Sequence, residues 1–442
     1  MKYYSTNKQS PIVTFKEATI KGQAPDKGLY FPETIPQVDR DLIENIETLS
    51  NEEIAFRVIK PYIGNEINDD DLFKIVSETV NFPIPLVQVN DQISSLELFH
   101  GPTLAFKDIG ARFMSRCLGY FIGRDPARGG SLNANNNVTV LVATSGDTGG
   151  AVANGFYNVP GINVVILYPS GKVSPVQEKQ LTTLGKNITA LEINGTFDDC
   201  QQMVKQAFAD SDINQKLFLT SANSINVSRW LPQQFYYFFA YKQWQEKGNP
   251  PVVSVPSGNF GNICAGILAK QSGLPISHFI AACNANDVVT QYLHASATDL
   301  KPQMAKPTLS NAMDVGNPSN FVRILEIFHH QFPELKNNLS SLSITDDETV
   351  ATINRVFKQY KYTLDPHGAV GYLALEKYLQ DHSSDKGIFL ETAHPVKFPD
   401  AVEEATANKL DIPSSVASIM HAEKQSVRMD TSYESFKNFL LD

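Results

Sequence analysis

The chain has 442 residues, of which 42% are hydrophobic and 19% charged, a composition that is typical of a globular protein and excludes a disordered or fibrous one. The formal net charge of −10 argues against a general nucleic-acid-binding protein or one that binds anionic membranes, because both carry basic surfaces. A chain of this length exceeds one ordinary hydrophobic core, so we expect two or three domains.

From the N-terminus, the turn-rich first part of the chain contains two amphipathic patterns that predict helices over Asn51–Ile63 and Asp69–Val80. Further along, apolar runs of the kind found in buried strands alternate with helical patterns. The predicted strands are Val138–Ala143, Ile162–Tyr168, Ile188–Ile193, Val252–Val255 and Gly387–Glu391, and the predicted helices are Ala151–Tyr157, Ser174–Leu184, Phe197–Ala209, Phe235–Trp244, Asn262–Gln271 and Gly368–Leu379. This alternation predicts an α/β fold with mostly parallel sheets, in which ligands bind beyond the carboxyl ends of the strands.

The four cysteines, Cys117, Cys200, Cys264 and Cys283, form neither a CxxC pair nor a metal-ligand spacing. We therefore expect buried, reduced thiols. The N-terminus is polar and leads into no apolar signal region, and the longest apolar runs are too short for a membrane span. These features predict a cytoplasmic protein.

A lysine among apolar and turn residues is the first candidate for chemistry. Lys107 lies in His100-Gly101-Pro102-Thr103-Leu104-Ala105-Phe106-Lys107-Asp108, just before the first strand–glycine-loop–helix unit. An amine in dry surroundings loses part of its preference for the charged form and becomes available as a nucleophile and base, as a Schiff-base lysine requires. A lysine alone is weak evidence, because most lysines are solvated surface charges.

Two loops between strand and helix are candidate anion sites. Thr144–Gly150 offers small residues and the unpaired amides of a helix start, although Asp147 would repel a bound anion, and a plain turn between strand and helix remains an alternative. Ser257–Asn262 has glycines three apart but lacks the complete G-x-G-x-x-G and Walker A patterns. The second loop therefore suits a single phosphate held by backbone amides.

The segment Ser221–Trp230 is a third candidate anion site. It contains Asn223, Ser224, Asn226 and Arg229. A guanidinium with amide and hydroxyl donors is a good phosphate receptor. The alternative is a serine-rich loop with a solvated arginine.

Other catalytic patterns are missing from the sequence, which has neither HExxH nor GxSxG. His329 and His330, placed on an amphipathic helix, are expected to be surface residues. His367 begins a helix, where a structural role in the cap is at least as well supported as an acid or base role.

Taken together, these segments resemble the threonine synthase family in its longer bacterial and fungal form. The resemblance covers nearly the whole chain, including the opening run from Tyr4 to Glu33, and adds Asp365–Gly368 to the segments described above. It implies fold type II of the pyridoxal-phosphate enzymes (like the tryptophan synthase β chain), with two mostly parallel-sheet lobes around the cofactor. We expect an N-terminal α+β region over residues 1–95, a small mobile α/β domain over 96–240 and a large cofactor-binding α/β domain over 241–442.

The resemblance also implies residue roles. Lys107 would carry pyridoxal 5′-phosphate as a Schiff base and serve as the catalytic base, and Thr392 would meet the pyridine nitrogen. The remaining cofactor-binding residues would be Phe106, Gly258, Asn259, Phe260, Gly261 and Asn262. The substrate would be bound by Thr144, Ser145, Gly146, Asp147 and Thr148 at its α-carboxylate and by Asn223, Ser224, Asn226 and Arg229 at its phosphate. Relatives of this fold often have Asn at the position of Asp147, so its protonation and its contact with the cofactor stay open.

The activity implied is that of a carbon–oxygen lyase acting on phosphate, which converts O-phospho-L-homoserine and water to L-threonine and phosphate, in a monomer or weak dimer. A related phospholyase that releases 2-oxobutyrate, ammonia and phosphate is the nearest alternative. A binding or regulatory protein without cofactor is the alternative from another class, and Lys107 together with the intact Ser257–Asn262 loop argues against it.

Overall fold

Three β-sheets organise the part of the chain that the computed structural model describes, which is residues 1–123, 137–295 and 300–442. Its strands are β1 (Lys2–Ser5), β2 (Val13–Thr14), β3 (Tyr30–Pro32), β4 (Leu86–Gln88), β5 (Ile93–Glu97), β6 (Val138–Ala143), β7 (Ile162–Pro169), β8 (Ile188–Ile193), β9 (Phe218–Thr220), β10 (Val252–Pro256), β11 (His278–Cys283), β12 (Leu339–Ser343), β13 (Gly387–Glu391) and β14 (Val427–Met429).

The helices of the described residues lie mainly on the faces of these sheets. They are α1 (Phe15–Lys21), α2 (Arg40–Glu44), α3 (Asn51–Ile63), α4 (Asp69–Thr79), α5 (Lys107–Gly123), α6 (Asp147–Phe156), α7 (Pro175–Thr182), α8 (Phe197–Ala209), α9 (Ser211–Lys216), α10 (Val227–Trp230), α11 (Gln234–Gln243), α12 (Gly261–Gln271), α13 (Val288–Ala295), α14 (Phe321–Ile327), α15 (Phe332–Asn338), α16 (Asp346–Tyr360), α17 (Pro366–Asp381), α18 (Pro399–Thr406), α19 (Ser414–Met420) and α20 (Tyr433–Leu441). Short 3₁₀ helices cover Leu231–Gln233, Asn311–Met313 and Pro395–Lys397.

The first lobe is built on a five-stranded sheet with the order β14-β8-β7-β6-β9, in which every neighbouring pair is parallel. Strand β6 is buried along its whole length, as expected for a β-branched run that is covered on both faces. Helix α7 begins with a capping box, in which Ser174 Oγ accepts from the Gln177 N–H and the Gln177 side chain accepts from the Ser174 N–H at 3.1 Å. This cap fixes the first turn of α7, which follows the carboxyl end of β7.

The second lobe is built on a six-stranded sheet with the order β12-β11-β10-β13-β5-β4. All neighbouring strands are parallel except β4 and β5, which form an antiparallel edge. Its middle strands β10 and β13 are buried along their whole length. The predicted α/β class with mainly parallel sheets is therefore confirmed.

The N-terminal part forms a small antiparallel sheet, β2-β1-β3, with helices α1 to α4. Its apolar side chains join a core cluster that also includes residues of both lobes. The boundaries predicted after residues 95 and 240 stay a prediction. In the sheets, β4 and β5 pair within the second lobe, and β14, near the C-terminus, pairs with β8 of the first lobe.

Helix α11 is buried between the N-terminal part and the second lobe. Its residues Gln234–Tyr241 are all buried, and it packs against α3 of the N-terminal part and α12 of the second lobe. The Tyr237 hydroxyl donates to Asn262 Oδ1 at 2.8 Å. This contact fixes the start of α12, where the predicted phosphate loop ends.

The adjacent residues His329 and His330 do not lie on a helix, and that prediction was wrong. They follow α14 with left-handed backbone, at φ 49° and 58°, because the chain turns sharply there. Both side chains are exposed, as predicted. His330 Nε2 lies 2.8 Å from Glu326 Oε1.

The four cysteines are free and buried, which confirms the prediction of buried thiols. In the described ranges, no helix combines the length and the apolar character that crossing a membrane requires.

Candidate active site

The Lys107 segment lies across the end of strand β13. The Phe106 N–H donates to Thr392 O at 2.9 Å, and the His394 N–H donates to Leu104 O at 3.1 Å. Lys107, the first residue of α5, is thereby held beside Thr392 at the carboxyl edge of the second lobe's sheet. This is the edge at which ligands of parallel sheets bind.

The turn that precedes Lys107 is fixed by a buried carboxylate. Asp108 accepts from the Thr103 N–H at 2.9 Å and from the Thr103 hydroxyl at 2.5 Å. Both residues are buried, so this pair holds the backbone on either side of the lysine with little exchange with solvent.

The environment of Lys107 makes its amine less basic than usual. Burial lowers the pKa of Lys107 to about 8; the attraction of Asp147 opposes this shift, and the repulsion of Lys397 and Arg229 adds to it. At pH 7 about a tenth of such an amine is unprotonated, far more than for a solvated lysine. Burial is thus a physical reason for the unprotonated amine that the sequence predicted at Lys107.

The loop after β10 is held tightly against its neighbours. A Cβ at Gly258 would lie 2.6 Å from Met313 Cα, and Phe260 adopts a left-handed conformation at φ 61° as it caps α12. The Ser257 N–H donates to Ala282 O at 2.8 Å. These restraints turn the backbone sharply between β10 and α12.

The same loop has the free donors that a phosphate needs. Among the described residues, no acceptor partners the backbone N–H groups of Gly258, Asn259 and Phe260. The side-chain Nδ2 of Asn262 is buried and also has no hydrogen-bond partner there. Since buried donors are nearly always satisfied, these groups fit an anion such as the phosphate of pyridoxal phosphate. The loop follows β10, and Thr392 follows the neighbouring parallel strand β13, so both lie at the same edge of the sheet.

The side chain of Thr144 organises the loop after β6. Thr144 Oγ1 accepts from the N–H groups of Gly146 and Gly149 at 2.9 and 2.8 Å, so α6 begins at Asp147, earlier than predicted. Gly146 has φ 136°, a conformation that L-residues rarely adopt. The side chains of Ser145 and Thr148, also in this loop, are partly exposed and thus within reach of a ligand.

Asp147 forms a buried ion pair that sequence reasoning missed. Lys397 Nζ lies 2.6 Å from Asp147 Oδ1, and Gln177 Nε2 donates to the same oxygen at 2.9 Å. Burial by itself would raise the pKa of Asp147, but the nearby ammonium groups of Lys397 and Lys107 outweigh it and hold this pKa below the ordinary value. These contacts favour the ionised, paired form of the carboxylate.

Arg229 is buried and has no carboxylate partner among the described residues. One Nη donates to Ala222 O, whereas Nε is buried and has no hydrogen-bond partner in the described part of the chain. Burial lowers the pKa of Arg229 to about 10. The guanidinium packs against α5, where a Cβ at Gly110 would lie 3.1 Å from Nε, about one turn beyond Lys107. An unpaired buried cation at this place favours an anionic ligand over the solvated arginine of the alternative interpretation.

The two predicted phosphate sites are in direct contact. Asn259 Nδ2 donates to Ser224 Oγ at 2.5 Å, and Asn259 Oδ1 accepts from the Ser319 N–H at 2.7 Å. Asn223 lies next to Ser224, and both are partly exposed. The structure therefore brings the loop after β10 together with the segment before α10.

The Asn226 side chain forms hydrogen bonds with backbone groups of the protein itself. Its Oδ1 accepts from the Ser228 N–H at 3.0 Å and caps α10, and its Nδ2 donates to Thr19 O at 2.9 Å. The side chain is wholly buried. These contacts favour a positioning role, and its predicted contact with the substrate phosphate stays a prediction.

His367 supports a loop. Its Nδ1 lies 2.5 Å from Asp365 Oδ1, and its Nε2 accepts from the Ala312 N–H at 3.2 Å. The ring therefore holds the 3₁₀ turn at Asn311–Met313, which packs against Gly258. This arrangement favours the structural role that the sequence left open.

Lys397 could have been found in the sequence by the criterion that singled out Lys107. It follows Thr392-Ala393-His394-Pro395-Val396 after a buried strand, so it too is a lysine among apolar and turn residues near the carboxyl end of a strand. Its partner Asp147 is 250 positions away along the chain, and no local pattern indicates the pairing.

The sequence of this chain is similar to those of known proteins. Three family models match: threonine synthase N terminus over residues 2–80, pyridoxal-phosphate dependent enzyme over residues 87–390, and threonine synthase, C-terminal, over residues 368–440. The threonine synthase of Escherichia coli is 44% identical over 418 residues, which cover 94% of this chain and 94% of that protein.

The fold is also similar to those of solved structures. The crystal structure of threonine synthase from Escherichia coli matches with a TM-score of 0.90 at 42% identity, covering 100% of this chain and 99% of that one. The crystal structure of threonine synthase with bound pyridoxal phosphate from Brucella melitensis matches with a TM-score of 0.92 at 34% identity, with the same coverage. The predicted fold type II architecture and the predicted cofactor are confirmed by these matches.

Proposed function

Because the chain belongs to the threonine synthase family, a family of pyridoxal-phosphate-dependent lyases, we propose that its substrate is O-phospho-L-homoserine. Water and this substrate would give L-threonine and phosphate. The observation that best supports the proposal is the position of Arg229, a buried cation with no acidic partner among the described residues, which packs against α5 at Gly110, about one turn beyond Lys107. A substrate that carries both an amino acid group and a phosphate needs a reactive lysine for the first and a cationic site for the second, and Lys107 and Arg229 would supply them.

The amine of Lys107 has two roles in the proposal. It holds the cofactor covalently, and in its free form it takes up and returns protons at the α- and β-carbons of the substrate. The pKa of about 8 leaves part of the amine unprotonated near neutral pH, as a base requires. When bound, pyridoxal phosphate supplies an electron sink for negative charge at the α-carbon.

The chain's donors would bind the two anionic ends of the substrate. The loop Thr144–Gly150 would hold the α-carboxylate through backbone N–H groups and the partly exposed Ser145 and Thr148. Arg229, with Asn223 and Ser224, would hold the phosphate and stabilise the negative charge that grows on it as it leaves the γ-carbon.

Residues on two lobes would have to exclude bulk water until water adds at the β-carbon. Early access of solvent would release a ketoacid, so closure of the lobes over the substrate is part of the proposal. The predicted domain boundaries, the monomeric or weakly dimeric state and the cytoplasmic location also stay proposals, the last supported by four free, buried cysteines.

The decisive experiment is incubation of the purified holoenzyme with O-phospho-L-homoserine, with threonine, phosphate, ammonia and 2-oxobutyrate all quantified. Threonine and phosphate in equal amounts support the proposal. Ammonia and 2-oxobutyrate without threonine would identify the phospholyase alternative. If an absorbance band at about 410 nm forms but no phosphate is released, the substrate assignment is wrong.

A further inference from the structure

The buried ion pair of Lys397 and Asp147 joins the two lobes. Asp147 begins α6 after β6 of the first lobe, whereas Lys397 ends the 3₁₀ helix Pro395–Lys397 that follows β13 of the second lobe. Lys397 Nζ also donates to Thr103 O at 2.8 Å, in the turn before Lys107. The pair is therefore placed between the loop after β6 and the reactive lysine.

Stability is a weak explanation for this pair. The Lys397 side chain is 0% exposed and that of Asp147 is 6% exposed, and removing two charges from water costs about as much as their attraction returns. An apolar pair of similar volume would fill the same space without that cost. A role in the chemistry of the cleft explains the charges better.

The first consequence of the pair concerns the loop after β6. An isolated carboxylate at Asp147 would repel any anion bound by the backbone N–H groups of this loop. Lys397 neutralises it, and Gln177 from α7 shares the same carboxylate oxygen, so the negative charge is turned toward Lys397 and α7. The loop can then bind an anion despite containing an acid.

The second consequence concerns Lys107. The charged groups that act on its amine come from three other elements: Asp147 of α6 attracts the proton, and Lys397 of the 3₁₀ helix and Arg229 of α10 repel it. Without Lys397, the uncompensated charge of Asp147 would hold the amine in its protonated form. With Lys397 present, its positive charge opposes the effect of Asp147 on the Lys107 amine.

We propose that Lys397 is a positioning residue that neutralises Asp147 and thereby keeps the Lys107 amine available as a nucleophile. The inference rests on the proposed function only for the nucleophilic role of Lys107. It concerns the charge balance of the cleft, which can be measured in the full chain without substrate.

The test is trace labelling of the full-length protein with acetic anhydride as a function of pH, after removal of pyridoxal phosphate so that the Lys107 amine is free. The peptide that contains Lys107 is quantified by mass spectrometry. At pH 7, Lys397→Met is expected to lower the labelling rate of Lys107 about tenfold, because a pKa rise of about one unit reduces the free amine by that factor. Asp147→Asn is expected to raise the rate about fivefold. The double variant carries neither charge and is expected to return to within about twofold of the wild-type rate.

Matched controls separate this role from a general effect of losing an ion pair. Lys424→Met removes a lysine that lies 2.8 Å from the buried Glu192 elsewhere in the first lobe, and it is expected to leave the labelling of Lys107 unchanged. Lys397→Arg keeps the charge and is expected to label within about twofold of wild type. If Lys397→Met does not fold, the labelling rates of Lys107 in Asp147→Asn and in the double variant still test the inference.

The inference is overturned if Lys107 labels at the wild-type rate in Lys397→Met, or if Asp147→Asn slows labelling. It is also overturned if Lys397→Met raises KM for substrate while labelling stays unchanged, because Lys397 would then bind substrate directly. Failure of the proposed function is distinguishable: a wild-type enzyme that makes no threonine leaves the labelling pattern intact.

Discussion

Asn259 Nδ2 donates to Ser224 Oγ at 2.5 Å and so connects the two loops to which the cofactor phosphate and the substrate phosphate are assigned. Asn259 follows β10 in the second lobe, and Ser224 precedes α10. A substitution at either residue should therefore weaken the binding of both the cofactor and the substrate.

A double-mutant cycle of Asn259→Ala and Ser224→Ala measures this connection. We expect each single variant to weaken the binding of pyridoxal phosphate, and the double variant to lose about 1 kcal/mol less than the sum, since the two residues share one hydrogen bond. The dissociation constants are measured by cofactor absorbance. Asn259→Ala combined with Thr345→Ala, a cap of the distant helix α16, should be additive, and additivity in the Ser224 cycle would contradict the connection.

Lys107→Ala is expected to reduce turnover by about 10³-fold or more, because the chemistry loses its covalent anchor and its base. The folded state should persist, as the turn before the lysine is held by Asp108 and Thr103. Turnover is followed by phosphate release, and folding by circular dichroism. Lys386→Ala, a partly exposed lysine paired with Glu246, serves as the control. Appreciable activity in Lys107→Ala would refute the assignment.

Arg229→Ala should mainly weaken substrate binding, by about 2–4 kcal/mol if the ion pair with phosphate is dry. KM for O-phospho-L-homoserine should rise, whereas binding of pyridoxal phosphate should change much less. Arg355→Ala removes an arginine that pairs with Glu376 on α17 and should leave KM unchanged. An unaltered KM in a folded Arg229→Ala enzyme would move the phosphate site elsewhere.

Gly258→Ala should weaken binding of pyridoxal phosphate at least tenfold. The added Cβ would lie 2.6 Å from Met313 Cα, so the loop after β10 would have to shift, at a cost of about 1–3 kcal/mol. Gly248→Ala is the matched control, because nothing lies within 4 Å of its Cβ position. Equal cofactor affinity in the two variants would show that the loop does not hold the phosphate.

Glu391 offers a test of pH dependence. Burial raises the pKa of this carboxyl well above its usual value, and the nearby charge of Asp365 raises it further. The folded state therefore binds a proton that the unfolded state releases, so stability falls as pH rises above the ordinary carboxyl pKa. Glu391→Gln keeps an acceptor for the Asp365 N–H, which lies 2.6 Å from Oε1, and removes this dependence.

The expected outcome is a higher melting temperature for Glu391→Gln than for wild type at pH 8 and a smaller difference at pH 5. The melting curves are measured by calorimetry at both values. Glu404→Gln, a change in α18 at a group outside this cluster, should not alter the pH profile. A wild-type melting temperature that rises from pH 5 to pH 8 more than that of Glu391→Gln would contradict the sign.

Much of the fold could be predicted from the sequence because its signals are local. The buried run Val138–Ala143 and the helix Phe197–Ala209 have the predicted bounds, since hydrophobic periodicity and a neighbouring cap decide both within a few residues. Lys107 and the two glycine loops were also identified in this way. Each carries its chemistry in a short stretch, next to a strand end.

Only the tertiary structure decided which distant residues meet. The pairing of Asp147 with Lys397, the contact of Asn259 with Ser224 and the capping role of Asn226 all join segments that are far apart in the chain or depend on its packing. Periodicity and capping describe the neighbours of a residue along the chain, whereas the charge on a buried lysine depends on the groups folded around it. For that physical reason the sequence predicted the reactive amine, and the fold determined how basic that amine is.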